Sequence, residues 1–258
     1  MDLLVAFKND AAGHNMAKHI SQNMEKDGDM YRGKNFDLIE IDTPAISADW
    51  LDEQYDYDGF VFLSKHAAES GTLALTCHST GNFNEAKFGG NAKELAIPYP
   101  NLQKKYLKTL WENRESFSDF EITIEATHHG PTHLKKPSIF VEIGTTDLQW
   151  NDEQLCSSVA QLVLETHEKP SDSHPFAICF GGTHYSEKFT KELLFGKYAL
   201  GTVMPKHALE FLNPDLFEHI ITQNNGAEAA LLDWKSLGKQ KQTLIDLLST
   251  TKLEVIKI

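Results

Sequence analysis

Apolar and polar positions follow two periods along this chain. Short apolar runs at Leu3–Phe7, Phe36–Ile41, Phe60–Leu63, Pro137–Gly144 and Phe176–Phe180 have the length and composition of buried strands. Thr72–Cys77 and Phe120–Thr127 alternate instead. In the second of these, Ile122, Ile124 and Ala126 fall on one side and Glu121, Thr123 and Glu125 on the other. Between the runs, apolar residues recur at helical spacing in Asp10–Met24, in Pro100–Asn113 (Leu102, Tyr106, Leu107, Leu110), and in a stretch carrying Leu155, Val159, Leu162 and Val163. Asn151 and Gln154 have capping-box spacing and predict where that last helix begins. Ser186–Leu194 reads as a helix and Tyr198–Met204 as a strand. The tail reads as a helix over Leu237–Leu248 and an alternating strand over Leu253–Ile258, and Gly28–Lys34 as a polar loop. Strands alternating with helices predict an α/β fold, a mixed sheet flanked by helices on both faces. With no repeat and no linker-like stretch, residues 1–258 read as one domain.

Charge narrows the function. Lys+Arg 24 against Asp+Glu 37 gives a net charge of −13, which argues against a generic binder of nucleic acid or anionic membrane. Cations are left in local patches: Lys104-Lys105 with Lys108, Lys135-Lys136, and Lys206. The start, Met1–Lys8, lacks the basic region of a signal peptide, and no run approaches the ~18 apolar residues of a membrane span. Cys77, Cys156 and Cys179 form no CxxC pair and read as reduced, buried thiols of a cytoplasmic protein. A monomer with no obligatory protein partner is expected.

Histidine carries the chemical signal. Six of the 12 histidines fall in four motifs at strand ends or in Gly/Thr-rich turns, where open α/β sheets bind ligands. These are Ser64-Lys65-His66, Thr76–Asn82 (TCHSTGN), Glu125–His133 (EATHHGPTH) and Gly181–Tyr185 (GGTHY). Imidazole and carboxylate are natural zinc ligands, and catalytic zinc sites use three such groups with a further position left open. His128 and His129 would face opposite ways on a strand but can converge in the turn forced by Gly130-Pro131. His78, His128, His129 and His184 are therefore the candidate metal ligands. Glu142, an acid inside the apolar strand Phe140–Gly144, needs a cation, metal or donor to offset its burial. Glu125 and Glu142 are candidates for taking a proton from water, with His133 as a further catalytic candidate. His66, Asn82, Thr132, Lys135, Lys136, Gly182 and Tyr185 are candidates for substrate contact. His14, His19, His167, His174 and His219 read as surface or loop residues. No GxSxG elbow and no phosphate-loop spacing is present.

Taken together, EATHHGPTH, VEIG (141–144), GGTHY and SKHAAESGTLALTCHSTGNF (64–83) resemble the archaeal- and plant-type D-aminoacyl-tRNA deacylases, zinc-associated hydrolases distinct from the small bacterial-type deacylases. The resemblance runs from about Leu3 to Leu209. It implies one α/β domain related in architecture to peptidyl-tRNA hydrolase and purine-phosphorylase-like folds. It also implies one or two zinc ions per chain, and hydrolysis of the ester joining a D-amino acid to the terminal ribose of tRNA. Gly130-Pro131, Gly144 and Gly181-Gly182 are candidate walls against an L side chain. One departure stands out: the family's Gly-His before an apolar pair and Pro-Lys reads Gly201-Thr202 here, and His207 stands where an aromatic is usual. Two other readings of the same histidines are a peptidyl-tRNA-hydrolase-like or other metal-dependent amidase, and an RNA-binding module with a structural metal.

Overall fold

The computed structural model describes residues 1–68, 71–170 and 173–258, so Glu69 and Ser70 of the 64–83 motif lie outside the described residues. In chain order the strands are β1 (Asp2–Phe7), β2 (Glu25–Asp27), β3 (Met30–Arg32), β4 (Phe36–Ile41), β5 (Gly59–Ala67), β6 (Ala74–His78), β7 (Glu121–Ile124), β8 (Ser138–Thr145), β9 (Phe176–Phe180), β10 (Ala199–Met204), β11 (Ala229–Leu232) and β12 (Glu254–Lys257). The helices are α1 (Ala11–Ile20), α2 (Leu51–Gln54), α3 (Pro100–Glu112), α4 (Asp147–Trp150), α5 (Glu153–Glu168), α6 (Glu187–Phe195), α7 (Pro214–Gln223) and α8 (Lys241–Leu248).

β1 is buried at every position but the last, and it lies inside a sheet, parallel to both β4 and β5. Alternation then sends Leu4 and Ala6 to one face, under α1, α3 and α5, and Leu3 and Val5 to the other, against Ala45, Leu51 and Phe140. Asp10 caps α1 by accepting from the Gly13 amide at 2.9 Å. A Cβ on Gly13 would sit 2.3 Å from the Leu63 carbonyl, so only glycine lets α1 lie this close to β5.

The α/β class is as expected, but the strands divide between two sheets rather than forming one. β1 to β8 form an 8-stranded mixed sheet in the order β2-β3-β4-β1-β5-β8-β6-β7. β9 to β12 form a 4-stranded parallel sheet in the order β10-β9-β11-β12. After β7 the chain leaves the first sheet. The Ala126 amide donates to the His184 carbonyl at 2.8 Å, and the Thr127 amide to the Val203 carbonyl at 2.9 Å. These bonds stitch the edge of one sheet to the ends of β9 and β10. One apolar cluster continues across the seam, from Leu4 and Val141 to Cys179, Leu200 and Leu231.

Several boundaries moved for local reasons. α5 is capped by Asp152, whose side chain accepts from the Gln154 and Leu155 amides, while Asn151 closes the preceding turn α4. Part of the expected polar loop 28–34 is the second half of a hairpin, β2–β3, turning at Gly28 with φ of 62°. The regular part of the expected 120–127 strand ends at Ile124, and the Glu125 side is buried too. α1 ends at Ile20 rather than near Met24, and α8 starts only at Lys241. α7 and β11 were not legible in the pattern. β11 is four residues long, yet it is an interior strand of the second sheet. All three cysteines are free and buried. Among the described residues no helix is long and apolar enough to cross a membrane.

Candidate active site

The site lies on the seam between the sheets. His66 and His78 end β5 and β6, Glu142 lies on β8, and Glu125, His128 and His129 follow β7. His184 and Tyr185 follow β9; the Tyr185 backbone is bridged to Glu125, and the His184 carbonyl accepts from the Ala126 amide.

Two buried carboxylates share one imidazole. His66 Nδ1 lies 3.1 Å from Glu125 Oε1 and 3.1 Å from Glu142 Oε2, and the Tyr185 hydroxyl bonds its Nε2. Burial opposes charge at all three ionisable groups, but the pairing outweighs it. His66 is raised to about 10, Glu125 is held well below the usual carboxylate range, and Glu142 is lowered as well. At neutral pH His66 is therefore an imidazolium between two carboxylates. Glu125 is the more enclosed of the two. It also accepts from Thr76 Oγ1 and lies 2.8 Å from His184 Nε2.

Three further imidazoles converge beside this group. His128 Nδ1 donates to the Ala126 carbonyl at 2.8 Å, His129 Nδ1 to the Gly130 carbonyl at 2.7 Å, and His78 Nδ1 to the Ser79 carbonyl at 3.1 Å. In the neutral ring these bonds fix the tautomer and leave Nε2 as a lone-pair donor; burial opposes charge on His78 but Glu142 beside it raises it, so His78 must give up a proton to ligate. The rings of His78 and His128 stand 4.1 Å apart, and those of His128 and His129 4.4 Å. Burial, then the charge of His78, pushes His129 down to about 4 and His128 well below its usual value. His129 holds φ of 45°, in the left-handed region. The neighbouring Gly130 makes this turn possible, because a Cβ there would meet Gly90 N and Ile46 O at 2.3 Å each. His78 Nε2 is buried without a hydrogen-bond partner, 3.8 Å from Glu142 Oε1. An unmet buried group of this kind costs about 1–3 kcal/mol unless a ligand reaches it. Ligand atoms of three sets, His78/His128/His129, Glu125/His128/His184 and His66/Glu125/Glu142, lie within 4.8 Å of one another.

Two cavities open onto this cluster. One, of about 480 Å³, is walled by Phe7, Ile46, Asp10, His66 and Glu142. The other, of about 360 Å³, is walled by Asn82, Phe83, Phe211 and His207. His128, His129, His184 and Phe88 border both.

Of the remaining sequence candidates, Asn82 borders the second cavity and the others are not gathered here. His133 is exposed, its ring bonded to Glu94 Oε1 at 2.8 Å, outside the buried cluster. The chain runs from Pro131 along the rim, where Asp49 accepts from the Thr132 and His133 amides. Thr132 Oγ1 bonds Glu94, the Lys135 amide donates to Asp52, and Lys136 pairs with Asp56 at 3.0 Å. Asp56 thus offsets one of the two lysines of the cationic patch expected there. Lys104 is buried, donating to the Gly196 and Tyr198 carbonyls, and burial lowers it to about 8. Asn82 tethers a glycine loop through the Gly89 and Asn91 carbonyls, and the Gly182 amide donates to Ser236 Oγ at 2.7 Å. Thr202 is buried and paired with Asn224, away from the cluster. His167 is also buried, 3.4 Å from Asp2, rather than on the surface. Thr76 and Phe88 went unread: Thr76 as one of several strand threonines, Phe88 as a lone apolar residue in a polar loop.

The family model described as D-aminoacyl-tRNA deacylase matches residues 53–256. The chain belongs to the D-aminoacyl-tRNA deacylase family. It is 59% identical over 256 residues to the D-aminoacyl-tRNA deacylase of Cenarchaeum symbiosum (strain A), covering 99% of each chain. It is 34% identical over 264 residues to that of Methanocaldococcus jannaschii, covering 98% of this chain and 97% of the other. A crystal structure described as a conserved protein of unknown function, AF0625, superposes with a TM-score of 0.92 at 30% identity, covering 100% of this chain and 95% of that one. The family likeness therefore continues past Leu209, where the recognisable motifs stop, through α7, β11 and β12.

Proposed function

We propose that this family member hydrolyses the ester between a D-amino acid and the terminal ribose of tRNA in the cytoplasm, at a zinc centre held by His78, His128 and His129. The observation that carries the metal reading is the set of three converging imidazoles, His78 buried and His128 and His129 half-buried, each with Nδ1 tied to a carbonyl, so that its neutral ring offers Nε2 as a donor. Metal-ligating histidines ordinarily have such a second partner. Nitrogen and oxygen donors without thiolate suit an open, catalytic zinc site rather than a closed structural one, and the buried His78 Nε2 has no hydrogen-bond partner among the described residues. When bound, zinc supplies Lewis acidity to oxygen.

The chain's own groups divide the remaining work. Glu142 borders the larger cavity whereas Glu125 lies behind the cluster. Glu142, held ionised, is the carboxylate that takes the proton from an attacking water. Glu125 is a positioning residue: it orients His66 and His184. His184 stands half-exposed at the junction of the cavities and is the group placed to return a proton to the leaving ribose oxygen. Family membership and the relatives' names support the substrate. Dialysis of the purified chain against a zinc chelator is expected to abolish D-tyrosyl-tRNA deacylation, and stoichiometric zinc to restore it. Full activity in the verified metal-free chain would remove the metal from the account.

A further inference from the structure

Phe88 is an apolar ring kept in water by a rigid loop. It is 67% exposed, yet its backbone is held from several sides. The Gly130 amide donates to the Phe88 carbonyl at 3.0 Å, Asn82 Nδ2 to Gly89 O at 2.9 Å, and the Asn91 amide to Thr132 Oγ1 at 2.8 Å. Gly89 and Gly90 take φ of 74° and 68°. A Cβ on Gly89 would lie 2.0 Å from the Ile46 carbonyl, and one on Gly90 2.5 Å from Thr132 Cγ2. The loop also packs Gly90 against Gly130, so it props the His128-His129 turn while presenting Phe88 at the meeting of the two cavities.

We infer that Phe88 is the stacking platform for the terminal base of the tRNA, an inference that rests on the function proposed above. The reacting ester is on the terminal ribose, so its base must lie within one nucleotide of the His/Glu cluster. The cavities already have inner apolar walls, Phe7 and Ile46 in one and Phe83 and Phe211 in the other, to receive an amino-acid side chain. A ring at the mouth meets what remains outside. The charge of −13, with Lys136 paired to Asp56 and Lys104 buried, leaves little phosphate-based affinity. Base–aromatic stacking holds a single-stranded end without it.

The test compares Phe88→Ala, Phe88→Leu and Phe88→Trp with the wild type on D-tyrosyl-tRNA and D-alanyl-tRNA, and measures binding of an uncharged oligonucleotide ending in CCA. Loss of one stacked base is worth about tenfold in affinity. Phe88→Ala and Phe88→Leu should each raise KM by about tenfold on both substrates with kcat little changed. The oligonucleotide should bind more weakly to both, and Phe88→Trp should restore wild-type values. Rescue by leucine as complete as by tryptophan, or a larger loss on D-tyrosyl- than on D-alanyl-tRNA, would assign the ring to the amino-acid side chain and overturn the inference. Unchanged KM in every variant would overturn it too. If the wild type deacylates neither substrate, the proposed function fails, whereas weaker oligonucleotide binding by Phe88→Ala would still identify a base contact.

Discussion

Glu142→Gln is expected to lower deacylation turnover by about 10²-fold or more, the range of general-base loss, with KM little changed. The amide keeps the shape of the side chain and its place beside His66, so the fold is retained. It cannot take a proton, and it leaves the His66 imidazolium with Glu125 as its one carboxylate partner among the contacts seen here. Single-turnover kinetics on D-tyrosyl-tRNA, with a melting curve to verify folding, measure this. A folded variant within a few-fold of wild-type turnover would show that Glu142 is not the base.

His78→Ala is expected to weaken zinc binding by at least about 100-fold, as a lost ligand should exceed a lost outer-shell partner, and to abolish activity. The imidazole is fully buried, and its Nε2 has no hydrogen-bond partner among the described residues. A side chain with only a packing role would leave zinc content unchanged when replaced. His133→Ala is the matched control: its exposed ring pairs with Glu94 on the rim, so zinc content and turnover should both persist. Zinc analysis of the two variants reads the contrast directly. Equal zinc in His78→Ala and the wild type would remove His78 from the centre.

These expectations were legible in the sequence where local chemistry decides. The turn at Gly130-Pro131 announced that adjacent histidines converge, and it does bring the His128 and His129 rings together. An acid in the apolar strand 140–144 announced a buried partner, found as His66. What depends on the path of the chain was not legible. His133 is only four residues from His129, but the chain runs outward along Asp49 and Glu94, and sequence distance carries no direction. The division into two sheets depends on backbone bonds from Ala126 and Thr127 to residues far along the chain, which no periodicity encodes. β11 is too short to show any period. Of the glycines read as walls against an L side chain, Gly181 and Gly182 pack against Ser236 and Ser186, and Gly144 against His66, where a Cβ would lie 3.1 Å from the ring.

Inverting the α-carbon exchanges side chain and hydrogen, so a site that fixes the amino group and carbonyl rejects one hand by a clash. An activated water and a polarised carbonyl would cleave either ester, so the proposed selectivity requires a clash with the walls of the site. The measurement that tests this account most directly follows ester loss from matched D- and L-tyrosyl-tRNA under single-turnover conditions with the zinc-loaded chain. Rapid loss of the D ester with the L ester spared is the predicted result, and equal rates on both would contradict it.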